Sequence, residues 1–330
     1  MFSDFLFNIK RLGGWAGLVI GVVLLLFLLI NFLIFLQPAD RSDSDKIIFN
    51  LKKGDSFETV VGRLEEQDLI KSRYWFKIYS LVTGSAHLFK PGVYELSPAM
   101  NGRDIVAAIV FGPPDIKLTI KEGATLVDID KQLSDAKIIG LGDLLKFNQE
   151  QEQSLEGFLF PDTYHFAQYS LVEDVVKRFA SNFQNKVGDY IKEDNYSNLI
   201  IASLIEKEAI HPQDRLLVSG ILQKRLAIKM PLQIDASVVY AKCNGAFLTC
   251  SEETRNLSSK DLKIESSYNT YLYFGLPPTP ISNPGKEAII AAMNPQKSKY
   301  LYYISNPKTG RMVFAQTLDE HNQNRFKYLR

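Results

Sequence analysis

The sequence predicts an α+β protein: a single N-terminal transmembrane helix, a small α/β module, and a larger mixed α+β domain with an acid on a helix. Three observations carry this. From Trp15 to Leu36 only Asn31 is polar, about twenty-two residues, enough to cross a bilayer core as a helix. Beyond it, short strand-like runs lie among longer amphipathic helical segments. The break Gly112-Pro113-Pro114 then divides the remainder into a short and a long part. The 38 Lys and Arg nearly cancel the 37 Asp and Glu, so no basic surface is implied and nucleic acid is not an expected partner.

In chain order, residues 1–11 are a short tail and 12–36 the transmembrane helix. Lys10 and Arg11 flank the helix on one side, and the mixed, net acidic Asp40, Arg41, Asp43, Asp45 and Lys46 on the other. The positive-inside rule keeps the tail cytoplasmic and exports the rest, anchored in the inner membrane. Gln37-Pro38-Ala39-Asp40 is a poor cleavage site, so the anchor is expected to stay. Residues 37–46 form a linker. Within 47–113, Ile47–Leu51 reads as a strand, Glu58–Gln67 and Arg73–Leu81 as helices, Lys90–Leu96 as a turn and strand, and Asp104–Phe111 as a helix. This strand-helix-helix order, with Gly54-Asp55-Ser56 at the first turn, resembles a LysM module, which implies sugar binding.

The domain 114–330 opens with a strand, Ile116–Ile120, and helices at Leu126–Ala136 and Leu141–Gln149. The segment LEGFLFPDTY (155–164) follows neither period. Helices follow at Val172–Ile191, Asn198–Ile210 and Arg215–Ala227. A second irregular stretch holds Tyr268-Asn269-Thr270-Tyr271 and a proline-rich loop, 275–285, whose shape Pro fixes without regular pairing. A hairpin (Tyr300–Ser305, Met312–Gln316) and a helix from Leu318 close the chain.

The helix LIIASLIEKEAI (199–210) is where chemistry concentrates. On its surface Glu206 neighbours Leu199, Ala202, Ser203, Ala209 and Ile210, which leave space over the carboxyl and hydrate it poorly. Such surroundings raise a carboxyl pKa and suit it to donate a proton near neutrality. Glu208 has Ile201, Leu204 and Ile205 beside it, so periodicity leaves both acids open. Nucleophile-elbow, phosphate-loop, dinucleotide and zinc-helix signatures are absent, so no cofactor is expected. The four histidines are scattered and no metal site is expected. Cys243 and Cys250 flank an Asn244-Gly245 turn; in an exported chain that spacing favours a disulfide, with a pair of buried thiols as the alternative.

Taken together, LEGFLFPDTY (155–164), ASLIEKE (202–208), YNTY (268–271) and GLPP (275–278), in that order behind an anchor, resemble the YceG/MltG family of endolytic murein transglycosylases. The sequence departs from the family pattern at Ala236, Thr279, Lys224 and Ala209, where Pro, Gly, Asn and Thr are usual. The resemblance implies Glu206 as the catalytic acid. It also implies a glycan cleft lined by Glu156, Gln233, Asp235, Tyr268, Asn269, Thr270 and Tyr271. Its substrate would be nascent peptidoglycan strands, and peptidoglycan synthases are the implied protein partners. The chemistry implied is cleavage between N-acetylmuramic acid and N-acetylglucosamine by one carboxyl, with the muramoyl C6 hydroxyl closing a 1,6-anhydro ring and limiting strand elongation. Two alternatives stand beside it: a silent glycan-binding scaffold for wall-synthesis proteins, and a hydrolase that uses water.

Overall fold

The structure, a computed structural model, describes residues 2–35 and 37–329, with side chains from Val19 onward. The chain divides between Pro114 and Asp115 into two compact units.

The first unit runs α1 (Phe2–Phe35), β1 (Ile47–Leu51), α2 (Phe57–Glu66), α3 (Arg73–Val82), β2 (Gly92–Leu96) and α4 (Gly102–Phe111). β1 and β2 pair antiparallel with Phe49 opposite Tyr94. The Ser56 hydroxyl accepts from the Thr59 N–H and starts α2, and Asn101 does the same for α4 through Asp104. The helices turn Val60, Leu64, Phe76, Ile105 and Ile109 onto the strand pair, where all are buried with Phe49 and Leu96.

The expected transmembrane helix is corrected. Among the described residues no helix is long and apolar enough to cross a membrane. α1 spans Phe2–Phe35, and its side chains are described from Val19 onward. Its end is also taken up by protein: Phe35 is buried, with ring centroids 6.4 Å from Phe76 and 5.6 Å from Tyr79.

The second unit contains β3 (Asp115–Thr119), α5 (Leu126–Asp135), α6 (Asp143–Gln149), β4 (Thr163–Ala167), α7 (Val172–Val187), α8 (Tyr196–Glu208), α9 (Pro212–Ala227), α10 (Asp235–Lys242), α11 (Glu252–Arg255), α12 (Lys286–Met293), β5 (Tyr302–Ser305), β6 (Met312–Ala315) and α13 (Leu318–Tyr328). α8 packs against α9, α10 and α12. Leu199 through Ile205 are buried on every side, so the helix lies in the middle of the core and only its last turn carries charge. That differs from an amphipathic surface helix, and helices wholly surrounded by protein need no polar face.

Three elements differ from the sequence reading. β4 takes up the end of the segment expected to be irregular and pairs antiparallel with β3, Tyr164 opposite Leu118. Tyr164 and Phe166 point inward between the exposed Thr163 and His165, a period-two signal in a run of only five residues. α10 and α12, each of eight residues, were not anticipated, since neither is long enough to show a helical period by itself.

Candidate active site

The last turn of α8 sends Glu206 and Glu208 to different neighbours, as positions two apart on a helix must be. Glu206 is occupied on both oxygens. Nη2 of Arg215, from α9, donates to Oε1 at 2.9 Å, and the Gly285 N–H donates to Oε2 at 2.9 Å. The two side chains of this ion pair are 7% and 6% exposed. Burial pushes the Glu206 carboxyl up, while Arg215 and the Gly285 amide pull it back. Lys207 turns aside, its Nζ 3.8 Å over the Phe247 ring, and burial lowers it to about 8.

Glu208 is half-buried and meets another set of groups. Tyr303 of β5, Asp235 at the start of α10 and Arg225 of α9 all act on it electrostatically. Burial pushes its carboxyl up to about 7, and the Asp235 charge adds to that rise. Tyr271 Oη donates to Asp235 Oδ1 at 2.5 Å, so the end of the YNTY segment joins this cluster. Arg225 braces it from beneath: Nε donates to Leu301 O at 2.8 Å and Nη1 to Leu232 O at 2.6 Å, holding the chain before β5 and before α10. Gln233 is exposed and sits at φ 50, with its N–H bonded to Thr270 O at 3.1 Å. A carboxyl poised near neutrality, a second carboxylate and two phenols suit proton transfer to and from a polyhydroxyl substrate.

The remaining expected cleft residues lie deeper. Glu156 is 1% exposed. Its carboxyl accepts from the Leu126 N–H, from Tyr240 Oη at 3.1 Å and from Asn283 Nδ2 at 3.0 Å, and burial raises it to about 8. It therefore caps α5 from inside the protein and does not face a cleft. Asn269 and Thr270 are buried as well. Asn269 Nδ2 holds the carbonyls of Leu262 and Ile264, and Thr270 Oγ1 accepts from the Ile234 N–H at 2.9 Å, which sets the entry to α10. Tyr268 packs on Tyr240 with ring centroids 4.9 Å apart, and its Oη shares a hydrogen bond with Thr279 Oγ1 at 2.7 Å.

Sequence reasoning missed Tyr303, Arg225, Arg215 and Asn283. They reach their partners across 95, 17, 9 and 127 residues respectively, for Glu208, Glu208, Glu206 and Glu156, so no local spacing could flag them. Asn283 is the hub of the proline-rich loop. Its Oδ1 accepts from the Gly157 and Leu159 N–H groups at 2.9 and 2.8 Å, and its Nδ2 reaches Ala124 O at 3.0 Å.

The structure joins Cys243 to Cys250, with Cα atoms 5.9 Å apart. The loop between them wraps the Asp128 carboxylate with the N–H groups of Phe247, Leu248 and Thr249. Among the described residues no group of three His, Cys, Asp or Glu could hold a metal ion.

The model of the YceG-like family matches residues 49–327. The chain belongs to the YceG-like family. The match spans both units, and the ASLIEKE turn, Gln233 to Asp235 and the YNTY segment all lie within it. An endolytic murein transglycosylase of Bacillus subtilis (strain 168) is 31% identical, over 89% of this chain and 88% of the relative. One from Streptococcus pneumoniae (serotype 2, strain D39) is 26% identical over 88% of the chain, which spans only 59% of that longer protein. A 2.6 Å crystal structure of a yceG-like protein from Listeria monocytogenes superposes with a TM-score of 0.53 at 32% identity, covering 85% of this chain and 99% of that one.

Proposed function

We propose that this chain is an endolytic murein transglycosylase, a lyase that cuts peptidoglycan strands internally. The activity is the one named for its Bacillus and pneumococcal relatives. The observation that carries the reading onto residues is Glu206, set in the last turn of α8 with its carboxyl raised by burial and held by Arg215 and the Gly285 N–H. The family resemblance points to Glu206 as the acid. Each carboxylate oxygen carries two lone pairs, so the Arg215 and Gly285 bonds orient this carboxyl and leave acceptor capacity for substrate.

Protonated Glu206 donates to the glycosidic oxygen between N-acetylmuramic acid and N-acetylglucosamine as the C1–O bond breaks. The C6 hydroxyl oxygen of the same muramoyl residue bonds to C1, and its proton passes to the Glu206 carboxylate. The acid is restored and no water is consumed. Ordinary glycosidases place a second carboxyl at a set separation as nucleophile or water activator; here the substrate supplies the nucleophile. Asp235, Gln233 and Tyr271 are the proposed glycan contacts, the first two exposed.

The order strand-helix-helix-strand in the first unit supports reading it as a LysM-like glycan-binding module. A murein substrate and the Cys243–Cys250 disulfide support an exported catalytic body at the inner membrane face, where nascent strands are made. Synthases that extend those strands are the proposed protein partners, since each cut limits what they make.

The test compares Glu208→Gln and Glu206→Gln in the full chain on purified glycan strands. Glu206→Gln is expected to lose at least about a hundredfold in rate and Glu208→Gln distinctly less. The reverse ranking would move the acid to Glu208, and no product from the parent chain would favour a silent scaffold.

A further inference from the structure

We propose that Glu122, in the turn between β3 and α5, is a positioning residue for the reaction: its carboxyl lies against Gly285, whose N–H holds the Glu206 carboxyl, and its like charge counters Arg215. The inference rests on Glu206 being the acid and adds what keeps a proton on it. A carboxyl paired with a buried guanidinium is drawn toward its ionised form, and an ionised carboxyl has no proton to give the leaving oxygen. A second acid close by works against that.

Two close approaches bring the turn onto the acid. Gly123 sits at φ +76, and a Cβ built there would stand 3.6 Å from Glu206 Cγ and 3.3 Å from Lys207 Nζ. Gly285 meets the same turn from the proline-rich loop, and a Cβ built on it would collide with the Glu122 carboxyl. Backbone bonds strap the two segments together. The Gly123 N–H donates to Asn283 O at 2.9 Å, and the Asn283 N–H donates to Ala124 O at 2.8 Å. Thr125 then caps α5, its side chain accepting from the Asp128 N–H, which fixes the far end of the turn. Glu122 itself is exposed, so its charge is held beside the acid without being buried.

The charged groups around Glu206 are Arg215 of α9, Lys207 of α8, Glu287 of α12 and Glu122. Burial raises the Glu206 carboxyl, Arg215 lowers it, Glu122 raises it again and Lys207 lowers it. Glu287 faces the guanidinium instead, its Oε2 3.5 Å from Arg215 Nη1. Glu122 is the member of this set whose loss should leave Arg215 unopposed on the acid.

The experiment measures kcat and KM against pH on purified glycan strands for the full-length parent chain, Glu122→Gln and Glu206→Gln, together with melting temperatures. Glu206 acts protonated, so kcat falls as pH rises through its pKa. Removing a like charge lowers that pKa, so Glu122→Gln should move the descending limb downward by about half a pH unit or more. A limb that does not move down overturns the inference: with KM raised, Glu122 is a glycan contact, and with a lower melting temperature it is structural. If Glu122→Gln fails to fold, the salt response of the parent chain decides. Screening weakens an exposed charge far more than the buried Arg215 pair, so the parent limb should move down from low to high salt, and an unmoved limb rejects the inference. A Glu206→Gln variant with the parent rate overturns the underlying assignment of the acid, an outcome the limb shifts cannot imitate.

Discussion

Glu206 and Glu208 share a helical turn, yet they meet different neighbours. Arg215 and the Gly285 N–H bond to Glu206, whereas Asp235, Arg225 and Tyr303 act on Glu208. Sequence periodicity left both open because each had apolar neighbours along α8; the difference lies in α9, α10 and β5, which periodicity cannot see. Glu156 illustrates the same point in reverse. The family resemblance placed it on a cleft wall, but three donors close on it inside the protein. Burial raises it from the ordinary 4.5 to about 8. The stability it contributes is therefore fully present below about 4.5, and is lost as pH rises to about 8. Glu156→Gln should fold and flatten the fall in stability across that window, read from urea unfolding at a series of pH values. An unchanged slope would mean that Glu156 is already ionised in the native protein.

The proline-rich loop, 275–285, whose shape Pro fixes without regular pairing, is mostly bracing. Ile281 through Gly285 are buried, the Ile281 N–H bonds to Ser203 Oγ, and Asn283 ties the loop to both α5 and the LEGFLF segment. Gly157 fits beneath it because its φ is +93 and an added Cβ would stand 2.6 Å from Pro280 Cγ. Asn283→Ala leaves the buried Gly157 and Leu159 N–H groups without their acceptor, so it should destabilise the second unit by about 3 kcal/mol or more, seen as a lower urea midpoint. A midpoint within error of the parent would remove Asn283 from the scaffold. The elements legible in the sequence were those with a full period or a clear cap, such as α2 behind Ser56 and α5 behind Thr125. The short α10, α12 and β4 were illegible because only long-range contacts define them. For the same reason the sequence left Glu206 and Glu208 open, and only the fold shows that Asp235 acts on Glu208.

At the scale of the whole molecule, the disulfide, the family and the substrate bear on one another. The Cys243–Cys250 bond closes the loop that holds Asp128, so reduction should cost about 2–3 kcal/mol of stability by the chain-entropy model. Melting with and without a thiol reductant reads that cost, and free thiols in protein taken from the exported compartment without reductant would contradict both the bond and the exported position. The corrected N-terminal helix leaves the catalytic account untouched, because every group assigned to the chemistry belongs to the unit after Asp115. The central claim is that the substrate's own hydroxyl, not water, attacks C1. Mass spectrometry of strands cut by the full chain in heavy-oxygen water tests it most directly. The account predicts muramoyl ends lighter by one water than a hydrolysed end and free of the heavy isotope; reducing ends that carry the isotope would contradict it.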